Sequence, residues 1–214
     1  MILHLHYPDL WPEIREALAT LGPHDLYVSV TDARTVALVQ ADRPDAFVEW
    51  VENRGRDIRP FLSLLRRIRP LGYTAVCKIH SKKSPHLADG GMIRKSLIEQ
   101  LVDPALAAAF AGDPRLGMVV VQSSYLRRAA INASCNTDSV AALAKEIDIP
   151  LDWAHFPAGS MYWFRPEALV DLDKIDLHRD WGIEKGLTDG TKAHGIERIT
   201  SFLTERAGFG IRQI

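Results

Sequence analysis

Apolar runs of strand length alternate with stretches whose apolar residues recur every three or four positions, and the alternation extends along the whole chain. "MILHLHY" reads as a strand, and "DLWPEIREALATL" as a helix opened by Asp9 and Pro12. "DLYVSVTD" is a second strand, followed by a helix through "ARTVALVQA". "AFVEWVEN" is a third, and the helix after it, "IRPFLSLLRRIRPL", carries Leu62, Leu65 and Ile68 on one face. "YTAVCKIHS" is a fourth strand, and "GGMIRKSLIEQLV" another helix. Then come a short helix "PALAAAFAG", a strand "LGMVVVQS" and a helix "TDSVAALAKEI". "GSMYWFRPEAL" reads as a strand running into a turn, and "DGTKAHGIERITSFLTERAG" as a closing helix. Such alternation predicts an α/β fold: a mainly parallel sheet flanked by helices. No repeat, low-complexity tract or linker breaks the pattern, so residues 1–214 are expected to form a single domain.

Open parallel sheets bind ligands beyond the carboxyl ends of their strands. His6, Tyr7 and Asp9 follow the first strand, and Thr31 and Asp32 the second. Asn53 to Asp57 follow the third, and His80, Ser81, Lys82, Lys83 and Ser84 the fourth. These four loops are expected to converge on one cleft.

Three stretches carry candidate chemistry. In "VENRGRDIRPFLSLL", Asn53 tolerates an unusual backbone conformation, Gly55 permits a close turn, and Asp57 can cap the following helix. Arg54 or Arg56 is then either a ligand for phosphate or a bidentate partner of Asp57; the plain alternative is a capped helix with solvated arginines. In "CKIHSKKS", strand alternation puts Lys78 and His80 on one face. A central parallel strand is normally apolar on both faces, so this pair breaks the rule at the carboxyl end, where a site would lie. Lys82, Lys83 and Ser84 add cations and a hydroxyl suited to a diphosphate, against the plain reading of a lysine-rich exposed turn. In "HFPAGSMYWFRPEAL", Gly159 and Ser160 can bring the backbone close to a ligand, while Met161 and Trp163 read as core. Trp181 and "TDGTKAHGIER" follow: Thr188 or Asp189 is placed to cap the last helix, and Glu197 and Arg198 are expected on its solvated side. Asp189 can also act as a general base if that helix start faces the site.

Composition narrows the classes. With 47% apolar and 25% charged residues the chain has the profile of a globular protein, and a formal net charge of −1 gives no overall attraction to nucleic acid or anionic membrane. Cys77 and Cys135 stand far apart in no metal-like spacing, and Cys77 lies in an apolar strand, as a buried thiol in a reducing compartment would. The opening residues have no basic leader, and no apolar run reaches the roughly 18 residues of a membrane span. A cytoplasmic protein is expected.

The motifs "HYPDLW", "DLYVSV", "ENRGRDIRPFL", "KIHSKKS", "FPAGSMYWFRPEAL" and "DGTKAHGIER", in this order, resemble the rhamnan synthesis F family of bacterial polysaccharide and O-antigen assembly. The order of elements is also similar to that of GT-A glycosyltransferases, which are Rossmann-related. The resemblance implies transfer of rhamnose or a related sugar from a nucleotide-diphosphate donor, dTDP- or GDP-rhamnose, to a polysaccharide or lipid-linked acceptor. It implies that Tyr7 and Asp32 hold the nucleotide, that Lys78, His80, Lys82 and Lys83 hold the diphosphate, and that Asn53, Arg54, Arg56 and Asp57 shape the donor pocket. Asp189 would be the base, with Gly159, Ser160 and Trp181 on the acceptor side. Where such enzymes carry a metal-binding Asp-x-Asp, this chain has "KIHSKKS", so metal-independent donor binding is expected, with lysines neutralising the leaving group. Peripheral association with membrane-bound assembly enzymes at the inner face of the cell membrane is a further expectation. A catalytically silent module that binds a sugar nucleotide or glycan for a partner enzyme is the competing reading.

Overall fold

The fold is described from a computed structural model, which describes residues 1–81, 83, 90–131, 133–183 and 185–214. Seven strands form the main sheet: β1 (Ile2–Leu5), β2 (Tyr27–Val30), β3 (Phe47–Trp50), β4 (Val76–His80), β5 (Leu116–Val120), β8 (Tyr162–Phe164) and β9 (Gly210–Gln213), in the order β3-β2-β1-β4-β8-β5-β9. All run parallel except β8, which is antiparallel to both its neighbours, β4 and β5. A separate antiparallel ribbon pairs β6 (Tyr125–Arg127) with β7 (His155–Pro157).

Helices cover both faces, so the central strands are buried throughout their length, as expected for a largely parallel sheet. One face meets α3 (Ile58–Ile68), α6 (Thr137–Ile147) and α7 (Lys192–Arg206); there Ile2, Val76, Met118, Tyr162 and Phe164 pack with Phe61, Leu65, Leu143, Ile196 and Ile199. The other meets α1 (Trp11–Ala19), α2 (Ala33–Asp42), α4 (Gly90–Leu101) and α5 (Pro104–Gly112), through Leu3, Val28, Cys77, Ile79, Val119 and Trp163. Strand alternation therefore sends His4, Lys78 and His80 to the α3/α7 side and leaves their neighbours apolar on the other.

Local chemistry explains several boundaries. Pro70 follows α3 almost at once, and the chain tightens into a 3-10 turn, Arg69–Leu71, in place of further α-helix. Pro12 sits in the first turn of α1, where its missing N–H costs nothing, but Asp9 does not open that helix: it lies in a preceding 3-10 turn and pairs with Lys83 at 2.7 Å. Three strands lie outside the sequence expectation: β6, β7 and β9, of three, three and four residues. No helix is long and apolar enough to cross a membrane among the described residues.

Candidate functional site

A cavity of about 440 Å³ opens at the carboxyl ends of β1 and β4. That volume falls within the range of small-molecule sites. Its wall is drawn from the β1 end (His4, His6, Tyr7), the loop before α3 (Asn53, Arg56, Asp57), the β4 end (His80, Ser81, Lys83), the turn between β7 and β8, the strap before α7, and α7 itself. Three of the four loops expected to converge do so. The loop after β2 stays outside: Asp32 is exposed, and its carboxylate accepts the Arg34 N–H at 2.9 Å as the N-cap of α2.

The floor is an internal ion pair. Lys78 Nζ donates to Asp57 Oδ2 at 2.5 Å, to the Ser160 carbonyl at 2.5 Å and to Ser160 Oγ at 3.0 Å. Asp57 is the residue before α3, yet it makes no side-chain capping bond, because its carboxylate is taken by Lys78. Burial alone would push the Asp57 carboxyl up; the charges of His80 and Lys78 and the Lys78 hydrogen bond outweigh it and hold the group well below the usual carboxylate range. Lys78 is almost completely buried and lies under the site, not in the cavity wall. Beside it His80 Nε2 contacts the Gly159 carbonyl at 2.7 Å, and His4 Nδ1 the Ser29 hydroxyl at 3.0 Å. Burial lowers the pKa of His4 to about 3, so His4 is neutral near pH 7.

The two loops that meet over this floor are held in unusual backbone states. Gly55 and Arg56 have φ of 68° and 56°, and Gly159 and Ser160 have 83° and 53°. Left-handed φ is unfavourable for non-glycine residues and is retained where surrounding contacts over-determine it. For Arg56 those contacts are Nη1 to the Leu187 carbonyl at 2.7 Å and to His194 Nε2 at 2.9 Å; for Ser160 they are the bonds to Lys78. Gly55 must be glycine for space as well: a Cβ there would stand 2.3 Å from Trp181 Cε3.

Helix α7 supplies the residues that the sequence reading put elsewhere. Its N-cap is Thr191, in a reciprocal box with His194, and not Thr188 or Asp189. His194, Glu197 and Arg198 share one face of α7 at spacings of three and four, and that face lines the cavity instead of meeting solvent. Glu197 Oε1 accepts the Gly159 N–H at 2.7 Å, and its Oε2 lies 2.9 Å from Arg198 Nη1. Arg198 stacks on Phe156, with Cζ 4.0 Å from the ring centroid, and donates from Nη2 to Asp189 Oδ1 at 2.9 Å. The same Asp189 oxygen accepts from Asn136 Nδ2 at 2.8 Å. Asp189 itself is not part of the cavity wall.

Of the residues singled out from the sequence, Tyr7, Asn53, Arg56, Asp57, His80, Lys83, Gly159 and Ser160 line the cavity. Arg54 does not: it pairs with Glu52 and donates to the Trp181 carbonyl at 3.3 Å. Trp181 packs behind the loop of residues 53–57, with Nε1 donating to the Asp176 carbonyl at 2.9 Å, and is not part of the cavity wall. Lys83 pairs with Asp9 and lies 4.7 Å over the Tyr7 ring. Lys82 and Ser84 lie outside the described residues. Among the described residues no group of three or more His, Cys, Asp or Glu side chains is arranged as a metal site. His194, Glu197 and Arg198 carried one usable signal, the clustering of three polar side chains on one face of a helix just after a glycine-rich strap.

Comparison with known proteins adds three findings. The uncharacterized protein WxcX of Xanthomonas campestris pv. campestris, strain B100, is 32% identical over 225 aligned positions, and its counterpart in strain ATCC 33913 is 32% identical over the same length. The alignments cover 100% of this chain and 32% of each relative, so the chain spans about a third of their length. Among solved structures, CMP:2-keto-3-deoxy-manno-octonic acid synthetase complexed with CTP superposes with a TM-score of 0.48 at 14% identity, over 100% of this chain and 88% of the other. A family model described as rhamnan synthesis protein F matches residues 1–209, and the chain belongs to that family.

Proposed function

We propose that this domain transfers a sugar, rhamnose or a related deoxysugar, from a nucleoside-diphosphate donor such as dTDP- or GDP-rhamnose to a cell-surface polysaccharide or its lipid-linked precursor. The family match supports a place in polysaccharide synthesis. The observation that carries the reaction is Glu197, a cavity-lining carboxylate held between the Gly159 N–H and Arg198 at the carboxyl edge of a parallel sheet. Asp57 also lines the cavity, but its charge is committed to the buried Lys78 ammonium. In this reading the acceptor hydroxyl attacks the anomeric carbon and its proton passes to Glu197. The bond from that carbon to the diphosphate oxygen breaks, and its electron pair leaves with the nucleoside diphosphate. General-base assistance of this kind contributes about 10²–10⁴-fold. Asp189, the base expected from the sequence, acts instead on Arg198.

Donor binding is proposed to proceed without a divalent metal, and the domain to act on the cytoplasmic side beside membrane-bound assembly enzymes. The test begins with a thermal-shift panel of nucleoside diphosphates and their sugars, in magnesium and in chelator; a ligand that binds the native state raises its melting temperature by mass action. The donor found is then used to follow sugar transfer to polysaccharide acceptor. Glu197→Gln is expected to fold and to lose most transfer, while Asp189→Asn keeps more of it. Full transfer by a folded Glu197→Gln protein removes Glu197 as base, and nucleotide-sugar binding with no turnover by the parent favours a binding module.

A further inference from the structure

The two described lysines of "CKIHSKKS" already have carboxylate partners. Lys78 is buried beneath the cavity, and Lys83 is partnered by Asp9. Within the wall the guanidinium groups are those of Arg56 and Arg198, and the wall's lysine, Lys83, already has its carboxylate partner. Arg198 is the unusual one. Its side chain is 8% exposed, and its Nε and Nη1 are buried with no hydrogen-bond partner. Nη1 does lie 2.9 Å from Glu197 Oε2, an ion pair by distance that lacks hydrogen-bonding geometry; Nε has no acceptor among the described residues. Buried guanidinium donors are nearly always satisfied, and leaving them unmet is costly. The stacking on Phe156 and the bond from Nη2 to Asp189 fix the guanidinium at the cavity wall without satisfying those two nitrogens. Arg198 also lies one helical turn beyond His194, which touches Arg56, so both arginines border the same stretch of the cavity. The first turn of α7, with Ala193 and His194 in the wall, sets the positive end of the helix dipole on that side.

We propose that Arg198 is the anchor of an oxyanion subsite in this cavity, completed by Arg56, and that it takes the diphosphate of a nucleotide ligand. Asp189 is its positioning residue, holding Nη2 so that the remaining donors stay at the wall. Seating the anion takes a small rotation of the guanidinium toward the cavity. The subsite deepens the sugar-transfer reading and rests on it for the identity of the diphosphate, but the binding of an oxyanion can be tested by itself.

Inorganic pyrophosphate is the probe, titrated calorimetrically into the full chain and into Arg198→Gln, Arg198→Lys and Arg56→Gln. Charged hydrogen bonds of this kind correspond to about a 10–100-fold change in affinity, so both Arg198 variants should bind at least roughly tenfold more weakly. Arg56→Gln should weaken binding by a smaller factor. A second measurement needs no variant to fold: the Arg198 Nε–H resonance of the parental protein should shift on titration with pyrophosphate. Equal pyrophosphate affinity in the parent and a folded Arg198→Gln, no detectable binding by the parent at millimolar concentration, or an Nε–H signal that pyrophosphate leaves in place would each overturn the assignment. Pyrophosphate held through Arg198 in a protein that turns over no nucleotide sugar defeats the transferase reading and leaves the subsite standing. Sugar transfer undiminished in Arg198→Gln does the reverse.

Discussion

Lys78→Met is the substitution that most sharply separates a strut from a ligand. Methionine fills a similar volume but has no ammonium group, so the variant deletes three contacts, to Asp57 Oδ2, the Ser160 carbonyl and Ser160 Oγ. Asp57 is 8% exposed and would be left as a buried carboxylate without its cation. Breaking a buried pair from one side costs about 3–5 kcal/mol. For a domain of this size each kcal/mol lowers Tm by roughly 2–4 °C, so the expected fall is roughly 6–20 °C. Adding Asp57→Asn removes the stranded charge, and the double variant should recover at least half of the loss, since replacing both partners of a buried pair is often close to neutral.

Urea denaturation followed by far-UV circular dichroism reads the effect, with the midpoint falling and the slope unchanged if the native surface is preserved. Pyrophosphate affinity is measured on the same samples below the transition. A Lys78→Met protein within about 0.5 kcal/mol of the parent, the range of ordinary surface substitutions, but unable to bind pyrophosphate would refute the reasoning. It would return Lys78 to the ligand role that its place in "CKIHSKKS" suggested.

Three other outcomes follow from the geometry. His4 has a folded pKa of about 3 against an ordinary 6.5, so the unfolded state binds the extra proton between those values and stability falls as pH drops from 6.5 toward 3. In His4→Gln the pH slope of unfolding free energy, measured from pH 4.5 to 6, should be shallower by roughly 1.4 kcal/mol per unit; an unaltered slope contradicts a neutral buried His4. Cys77 is buried, which pushes its thiol up to about 12, whereas Cys135 is exposed; a thiol reagent should therefore label one cysteine in the native protein and the second only on unfolding, and two fast thiols would reject the burial of β4. Gly55→Ala places a methyl group against Trp181 at a left-handed φ, so thermal melting should show a loss of about 1–3 kcal/mol, and an unchanged Tm would mean the loop and the tryptophan are not packed as described.

The parts of the fold that were legible are those whose signal is local. The buried strands β1, β2, β4 and β5 announce themselves as apolar runs, and α5 and α6 span the very segments that their periodicity marks, α5 being opened by Asp103 as its cap. Strands β6 and β7 are three residues each, too short for any period to register, and β9 is mostly exposed along the sheet edge, so neither its length nor its polarity marks it. The direction of β8 was equally hidden, since antiparallel insertion between β4 and β5 depends on how the chain returns through β6 and β7.

The site divides along the same line. Tyr7, Asn53, Arg56 and His80 could be placed because each follows an apolar run, and the carboxyl ends of parallel strands meet. The roles of Lys78 and Asp57 could not, because each looks like a functional residue until its partner is known. The partners of Lys78 stand 21 and 82 positions away, and a cation already bonded three times has no donor left to offer a ligand. Glu197 and Arg198 were assigned to solvent on the premise that a helix has one wet face. That premise fails for α7, which packs against β7, α6 and the sheet and keeps Arg198, Ile199, Thr200, Ser201 and Leu203 all buried. When the usual wet face is covered, the polar residues on it must either pair internally or border a cavity, and Glu197 and Arg198 do both. A charged residue that reads as surface in a helix covered over most of its length is therefore the better guide to this site than a charged residue at a strand end.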